Sequence, residues 1–465
     1  MSGCNGKLFG AYDIRGVYGE GLDEAFARKV GNAYGHYLRP DGGGRVLVGY
    51  DARLSSPSLK TAFIEGVLAS GNDVVDIGIS STPMAVWFAA HHDFDGGAAI
   101  TASHLAKHHN GFKLYAAKAK PLGAKNGLGE IRKVVEAKSA ESATSTTKAS
   151  DTTCSGKLSQ QEIVPMYVKH LIAHLKPERH LKIAIDAGHG AAGAEITELA
   201  RQARDLVEII TLNAVPDGNF PTRTPNPLDP GSMDELIRVV KTEGCDFGVS
   251  LDGDADRAVF VDELGQVVPT DLMIGLIGAE LIKRAGGGSV VYDLRASRAV
   301  PEYIEEAGGK AIRTGVGTNF MMSSIKDNNA LFAGELSGHY YYGDMFATDN
   351  ALRTILEALN VVSSMKTNLS TLIKPLSRYA LSGEINLRVN EIQSTLNRLE
   401  ASVTGGTNEH IDGLSINFNE WWFAARGSQT EPVLRLTVGA VSEQILQDRT
   451  KHLIEIIQPT QVKIS

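Results

Sequence analysis

Three cysteines in 465 residues (Cys4, Cys154 and Cys245) are too few, too scattered and odd in number for a disulfide framework, and none forms the CxxC pair that would suggest zinc. Long apolar runs are missing as well: no uninterrupted stretch reaches the roughly 20 residues that a membrane-spanning helix needs. The first residues carry no apolar segment like that of a secretory leader, so the expectation is a soluble, cytoplasmic protein with no membrane partner. Nor is there a surplus of positive charge. A formal charge of −8 argues against nucleic acid as a partner, because binding a phosphate backbone needs a basic face. It leaves small anionic ligands open, since a locally positive cleft can hold them on an acidic protein. Nothing in the sequence fixes an oligomeric state.

What is present is ordinary globular material, 43% hydrophobic and 22% charged, in a chain too long for one core. Three segments repeat a strand–helix–strand pattern. The first is RVLVGYD (45–51), a helix opening near Ser56-Pro57 behind a serine cap and running to Ala69, then DVVDIGI (73–79). The second is LKIAIDA (181–187), a helix from about Ala191, then DLVEIITL (205–212). The third is SVVYDL (289–294), a helix over about 297–307, then KAIRTG (310–315). Strands this apolar, alternating with helices, predict parallel strands covered on both faces. After about Leu376, four short strand-like runs and the amphipathic ILQDRTKHLIEIIQ predict an α+β domain. The small, polar stretch 137–156 reads as a linker whose start finishes a helix. The expected division is therefore 1–155, 156–258 and 259–375, all α/β, followed by 376–465. A cleft between such domains would gather one loop from each, where ligand sites tend to form.

Four runs carry chemistry. In TASH (101–104), Ser103 follows the strand GGAAI in a loop of small residues, and a serine hydroxyl can accept a phosphoryl group and hand it on. Lys113 lies ten residues along, beside what reads as an Asn110-Gly111 turn. Taken alone, a loop serine beside histidines is usually a solvated turn. In DGDADR (252–257), Asp252, Asp254 and Asp256 alternate between the apolar runs FGVSL and AVFVD. An extended chain would point all three carboxylates one way, a repulsive arrangement unless a hard cation such as Mg²⁺ or Ca²⁺ fills it. An EF-hand is excluded, because Arg257 stands where the sharp-turn glycine belongs and the flanks read as strands; an acidic surface turn stays open. In GELSGH (334–339), Glu335 and Ser337 could read sugar hydroxyls and His339 could act as acid or base. In RGSQTEP (426–432), Arg426, Ser428, Gln429 and Thr430 cluster phosphate donors in a tight turn, with Arg435 on the next strand. Arg15 in FGAYDIRG is a further candidate phosphate ligand.

With YDARLSSP and PDGNFPTRTPNPLDP, these runs appear in an order that resembles the α-D-phosphohexomutase superfamily, most closely the phosphomannomutase/phosphoglucomutase group, across nearly the whole chain. That resemblance implies four domains in a heart-shaped arrangement around a central cleft. It implies a phosphosugar substrate, bound Mg²⁺, and a hexose 1,6-bisphosphate as activator and intermediate in exchanging hexose 1- and 6-phosphates. Carried over by position, it makes Ser103 the phosphoserine and a metal ligand beside Asp252, Asp254 and Asp256. Glu335 and Ser337 would read sugar hydroxyls, and Arg426, Ser428, Gln429 and Thr430 would hold the phosphate that is not reacting. Lys113, His339, Arg15 and Arg257 would complete the catalytic centre.

Two departures from the family pattern matter. Leu105-Ala106 replaces the usual Asn-Pro after TASH, so an intact but differently braced loop is expected. Val316 stands where many members carry a histidine that touches substrate. Leu336 within GELSGH fits the mannose/glucose group, where the glucosamine group typically has glutamine. Phosphoglucosamine mutase, a Mg²⁺-dependent phosphohydrolase and an inactive sugar-phosphate-binding paralogue are the competing readings.

Overall fold

The computed structural model describes residues 8–141, 156–428 and 433–458, the side chains of 138–141 excepted. They fall into two compact units, Met1–Val267 with Gly338–Leu369, and Val268–Ser337 with Ser370–Ser465.

The first unit is built on two mixed sheets. One runs in the order Ile14–Val17, His109–Ala116, Gly96–Ile100, Arg45–Tyr50, Asp73–Ile79, Leu158–Gln160. Its central strands are parallel, while His109–Ala116 runs antiparallel between Gly96–Ile100 and Ile14–Val17. Val46, Val48 and Ile100 face Val30, Phe63 and Val67 of the helices Glu24–Leu38 and Ser56–Ala69 in a dry core. The second sheet places Ala258–Asp262, Phe247–Leu251, Leu181–Asp186 and Val207–Leu212 side by side. Phe247–Leu251 is parallel to Leu181–Asp186 and forms an antiparallel hairpin with Ala258–Asp262, so the acidic run is the tip of that hairpin. The short hairpin Tyr340–Tyr342/Thr348–Asp349 and the buried helix Ala351–Ser364 complete the unit.

In the second unit, Ser289–Asp293 has Lys310–Thr314 and Phe332–Gly334 parallel on its two sides. The C-terminal sheet is wholly antiparallel, in the order Ala380–Arg388, Val433–Ala440, Trp421–Gly427, Leu414–Asn417, Thr407–Glu409. Helices Ile392–Ser402 and Glu443–Ile457 cover it through Leu399, Leu446 and Leu453. Three α/β domains and a C-terminal α+β domain are thus the fold class that the strand patterns predict.

Several local expectations need correcting. Ser55 sits at the N-cap of Ser56–Ala69 but makes no side-chain cap. Its hydroxyl accepts instead from Asn110 Nδ2, and Ser56 Oγ donates to Asp51. Asn110-Gly111 is not a turn: both lie inside the strand His109–Ala116. The glycine is needed because a Cβ there would sit 1.9 Å from the carbonyl oxygen of Ile14. The start of the linker does finish a helix, Leu128–Glu141, and 142–155 lie outside the described residues. Among the described residues no helix is long and apolar enough to cross a membrane.

Candidate active site

Ser103 adopts a left-handed backbone (φ 51°), which costs a serine on the order of 1 kcal/mol, so its surroundings must impose it. The main brace is Arg53, fully buried with its salt-bridge partner Asp51. Its guanidinium donates to Asp51 and to four backbone carbonyls, of Ser103, Leu105, Ala106 and His109. Arg53 grips this loop through carbonyl oxygens, those of Leu105 and Ala106 among them, and not through their side chains. From below, the Ser103 N–H donates to Thr101 Oγ1, whose own proton goes to Asp51.

The Ser103 hydroxyl donates to Asp252 Oδ2 at 2.8 Å. The three aspartates converge, but not through an extended chain as expected. The tip is a tight turn with Ala255 left-handed (φ 55°), folded back so that Asp252 Oδ1 accepts from the N–H groups of Asp256 and Arg257. Gly253 is required there, since a Cβ would stand 2.6 Å from the Ser103 carbonyl oxygen. All three aspartates are buried and offer ligand atoms within 4.8 Å of one another. Lys113 Nζ bonds Asp254 at 2.7 Å and also reaches Asp256. Burial works against the lysine's charge, but Asp254 and Asp256 outweigh it and raise its pKa well above the usual range. Burial, then Asp256 and Asp254, pushes Asp252 well above an ordinary carboxylate, whereas at Asp256 burial is outweighed by Lys113 and His339, which hold the carboxyl well below it. Asp254 Oδ1 is buried with no hydrogen-bond partner. An all-oxygen donor set with an unpartnered carboxylate oxygen fits a hard divalent cation such as Mg²⁺.

The remaining predicted residues of this unit surround the same point. His339 Nε2 is 3.2 Å from Asp256 Oδ1, and Arg257 pairs with His339 through a β-bridge. Arg257 Nε is buried without an acceptor, 3.8 Å from Asp252 Oδ2. Arg15 is held by Asp13 and donates to the carbonyl of Ala102. His104 Nδ1 lies 3.1 Å from Ser103 Oγ; burial, then Arg257 and Arg15, drives its pKa down to about 2, so it is a neutral imidazole.

The second unit holds the other predicted residues. Buried Glu335 accepts from the Gly317 N–H at 2.7 Å, and Ser337 follows it in the same loop. Arg426 is not in a turn but near the end of the strand Trp421–Gly427, directly opposite Arg435. Two like charges so paired would repel. Glu384 relieves them, its carboxylate lying 3.2 Å from Arg426, 3.5 Å from Arg435 and 3.3 Å from Arg295. Arg426 Nε and Arg435 Nε are still buried without acceptors, a donor pair suited to a phosphate. Ser428 closes the strand end through its N–H to Val433, and Gln429 and Thr430 lie outside the described residues.

Sequence reasoning passed over Asp51, Arg53, Thr82, Arg295, Asp349 and Glu384. Thr82 Oγ1 donates to Asp254 Oδ2 at 2.5 Å. Asp349, pushed up to about 7 by burial and then Asp256, lies beside Asp256 and His339. Arg53 and Glu384 sit in the conspicuous runs YDARLSSP and LSGEINLRV; for Thr82 and Asp349 no local signal exists.

Residues 6–142, 165–265 and 269–379 match alpha/beta/alpha domains I, II and III of phosphoglucomutase/phosphomannomutase. The phosphomannomutase of Salmonella montevideo is 32% identical over 462 residues, covering 97% of this chain and 99% of its own. That of Methanocaldococcus jannaschii is 34% identical over 450 residues, covering 97% of both. The crystal structure of a phosphoglucomutase/phosphomannomutase family protein from Burkholderia thailandensis superimposes with a TM-score of 0.87 at 29% identity, over 98% of each chain.

Proposed function

The chain belongs to the phosphoglucomutase/phosphomannomutase family and is a phosphohexomutase, and from that premise we propose that it exchanges mannose or glucose 1- and 6-phosphates through a phosphorylated Ser103. The observation that carries this reading is the 2.8 Å contact between Ser103 Oγ and Asp252, residues 149 positions apart, in a pocket of three convergent carboxylates. Asp252, Asp254 and Asp256, with Ser103, hold Mg²⁺, which when bound offsets the charge of a phosphoserine among carboxylates and polarises its ester oxygen.

In the forward transfer, a free hydroxyl of the hexose phosphate attacks the phosphorus of phospho-Ser103. The bond from phosphorus to the sugar oxygen forms, the bond to Ser103 Oγ breaks, and the hydroxyl proton passes to His339. Lys113 and Arg257 hold charge beside the moving phosphoryl, Arg257 with the Nε that has no other acceptor. Arg15 adds a third cation. Glu335 and Ser337 read the sugar hydroxyls, and Arg426, Ser428, Gln429 and Thr430 hold the phosphate that is not reacting. The resulting hexose 1,6-bisphosphate then presents its other phosphate; the Ser103 oxygen, left as an alkoxide, attacks that phosphorus, and the departing sugar oxygen takes the proton back from His339. One phosphate site serves both orientations because it recognises a phosphate and not the ring. The phosphomannomutase relatives support mannose or glucose over glucosamine.

Intact mass and a coupled assay test this together. The wild type should carry a species about 80 Da heavier that Ser103→Ala lacks. A trace of hexose bisphosphate should stimulate turnover, with mannose or glucose 1-phosphate preferred over glucosamine 1-phosphate. Release of inorganic phosphate in step with turnover would instead indicate a hydrolase.

A further inference from the structure

One construction occurs three times in this chain, each time against a loop that the proposed function uses. Asp186 and Asp293 end parallel strands of their α/β domains, and Asp51 directly follows the strand Arg45–Tyr50 of the first. Each uses Oδ1 to accept the backbone N–H two residues on: Arg53 at 3.0 Å, Gly188 at 2.9 Å and Arg295 at 2.7 Å. Each offers Oδ2 to a buried or nearly buried arginine: Arg53 Nε at 2.9 Å, Arg223 Nε at 2.5 Å and an Arg295 terminal nitrogen at 2.6 Å.

The same Oδ2 then reaches across to the neighbouring parallel strand. Tyr50 is in register with Ile100, Asp186 with Ser250, and Tyr292 with Gly334. Asp51 therefore accepts from Thr101 Oγ1 (2.8 Å), Asp186 from Ser250 Oγ (3.3 Å) and Asp293 from the N–H of Leu336 (2.7 Å). Thr101 lies two residues before Ser103, Ser250 two before Asp252, and Leu336 one before Ser337. The arginines take further carbonyls in two copies: Arg53 the Ser103 loop, and Arg223 the carbonyl of Leu251, just before Asp252. All three aspartates are buried.

We propose that Asp51, Asp186 and Asp293 are equivalent positioning residues, each locking one loop: the phosphate-carrying loop, the cation loop and the sugar loop respectively. None touches substrate. Each fixes where its neighbour strand releases the chain, with an acceptor that is itself fixed by its own turn and by an arginine.

The inference rests on the proposed phosphoserine mechanism, and its test separates the two. Asp→Asn keeps the shape and the Oδ1 acceptor but turns Oδ2 into an amide, whose N–H groups then face the arginine and the loop donor. Three quantities are measured on each variant: phosphate on Ser103 by intact mass, Mg²⁺ affinity by calorimetry, and KM for the hexose 1-phosphate. Asp51→Asn should lose at least tenfold in the rate of Ser103 phosphorylation by hexose bisphosphate, with Mg²⁺ affinity reduced less than in Asp186→Asn. Asp186→Asn should weaken Mg²⁺ about tenfold with KM unchanged. Asp293→Asn should raise KM about tenfold with Mg²⁺ affinity unchanged. If a variant fails to fold, Ser250→Ala removes the link across the strands and should give the Asp186 signature in milder form, while Thr101→Val removes both the link to Asp51 and the acceptor of the Ser103 N–H and should give the Asp51 signature. One shared pattern in all variants, such as equal loss of thermal stability with no separation of the three readouts, overturns the proposal. A wild type that neither carries phosphate on Ser103 nor binds Mg²⁺ overturns the functional reading itself.

Discussion

Asp254 has two oxygens, and its neighbours decide which of them is offered to a cation. Thr82 Oγ1 and Lys113 Nζ both donate to Oδ2, at 2.5 and 2.7 Å, while Oδ1 is buried with nothing bonded to it. Thr82 also holds the backbone, its N–H donating to the Asp254 carbonyl at 3.0 Å. Removing the hydroxyl in Thr82→Val takes a charge-assisted hydrogen bond from a buried carboxylate, worth about 1.5–3 kcal/mol, and lets the carboxylate rotate. The expected result is Mg²⁺ binding weakened at least tenfold by calorimetry, with Thr82→Ser close to wild type; equal affinity in all three proteins would remove Thr82 from this role. The contrast with Ser103 and the aspartates explains what the sequence discloses. Asp252, Asp254 and Asp256 are legible because repulsive charges crowd into one short run, and only a ligand makes sense of that. Thr82 meets Asp254 across 172 positions, and nothing in TPMAVW advertises it. Glu384 is similar: its function arises from a cross-strand pair of arginines, a contact that exists only once the C-terminal sheet has formed.

At the scale of elements, the helix Thr82–His91 shows how a segment can escape notice and still organise a site. It is buried on every side as far as Ala90, so TPMAVWFAAH has no polar face from which to read a helical period. Its N-terminus, capped by Ser81 and opened by Pro83, clasps two groups: Thr82 takes Asp254, and Ser81 takes Glu195 through both N–H and hydroxyl at 2.8 Å. Among the described residues Glu195 has no cationic partner. Burial raises its pKa to about 7, and the two bonds from Ser81 offset that only in part. A carboxyl whose folded pKa is raised favours folding in its protonated form. That contribution is fully present below the unfolded value near 4.5 and is lost as pH rises through about 7. By pH 8.5 the ionised carboxylate costs on the order of 3 kcal/mol relative to an unshifted group. Glu195→Gln should therefore stabilise the protein at pH 8.5, and the gain should shrink towards pH 5.5, as read from denaturation midpoints at the two values. A gap of the same size at both would mean that the folded and unfolded states bind equal numbers of protons across this range, so that the folded pKa of Glu195 is not raised.

At the scale of the whole molecule, the three strand–helix–strand patterns and the change of texture near Leu376 foretell the α/β domains and the C-terminal antiparallel sheet. Regular alternation is what a packed sheet imposes on sequence. The division into units is not legible, because Gly338–Leu369 joins the first unit through long-range packing that no local pattern announces. This assignment puts all three aspartates, Ser103, Lys113 and His339 into one unit, whereas Glu335, Arg426 and Glu384 belong to the other. A ligand that binds only the folded form stabilises the body that holds it, and at a hundred times its Kd the gain is about 2.7 kcal/mol. For amides that exchange only when that body opens, this corresponds to about a hundredfold slower exchange. Hydrogen exchange with excess Mg²⁺ against chelator should thus slow strongly in the strands Gly96–Ile100, Phe247–Leu251 and Ala258–Asp262. The sheet of Ala380–Arg388, Trp421–Gly427 and Val433–Ala440 should exchange at the same rate in both conditions. Asp254→Asn should abolish the difference in the first set. Protection appearing in the C-terminal sheet instead, or surviving in Asp254→Asn, would place the cation somewhere other than among Asp252, Asp254 and Asp256.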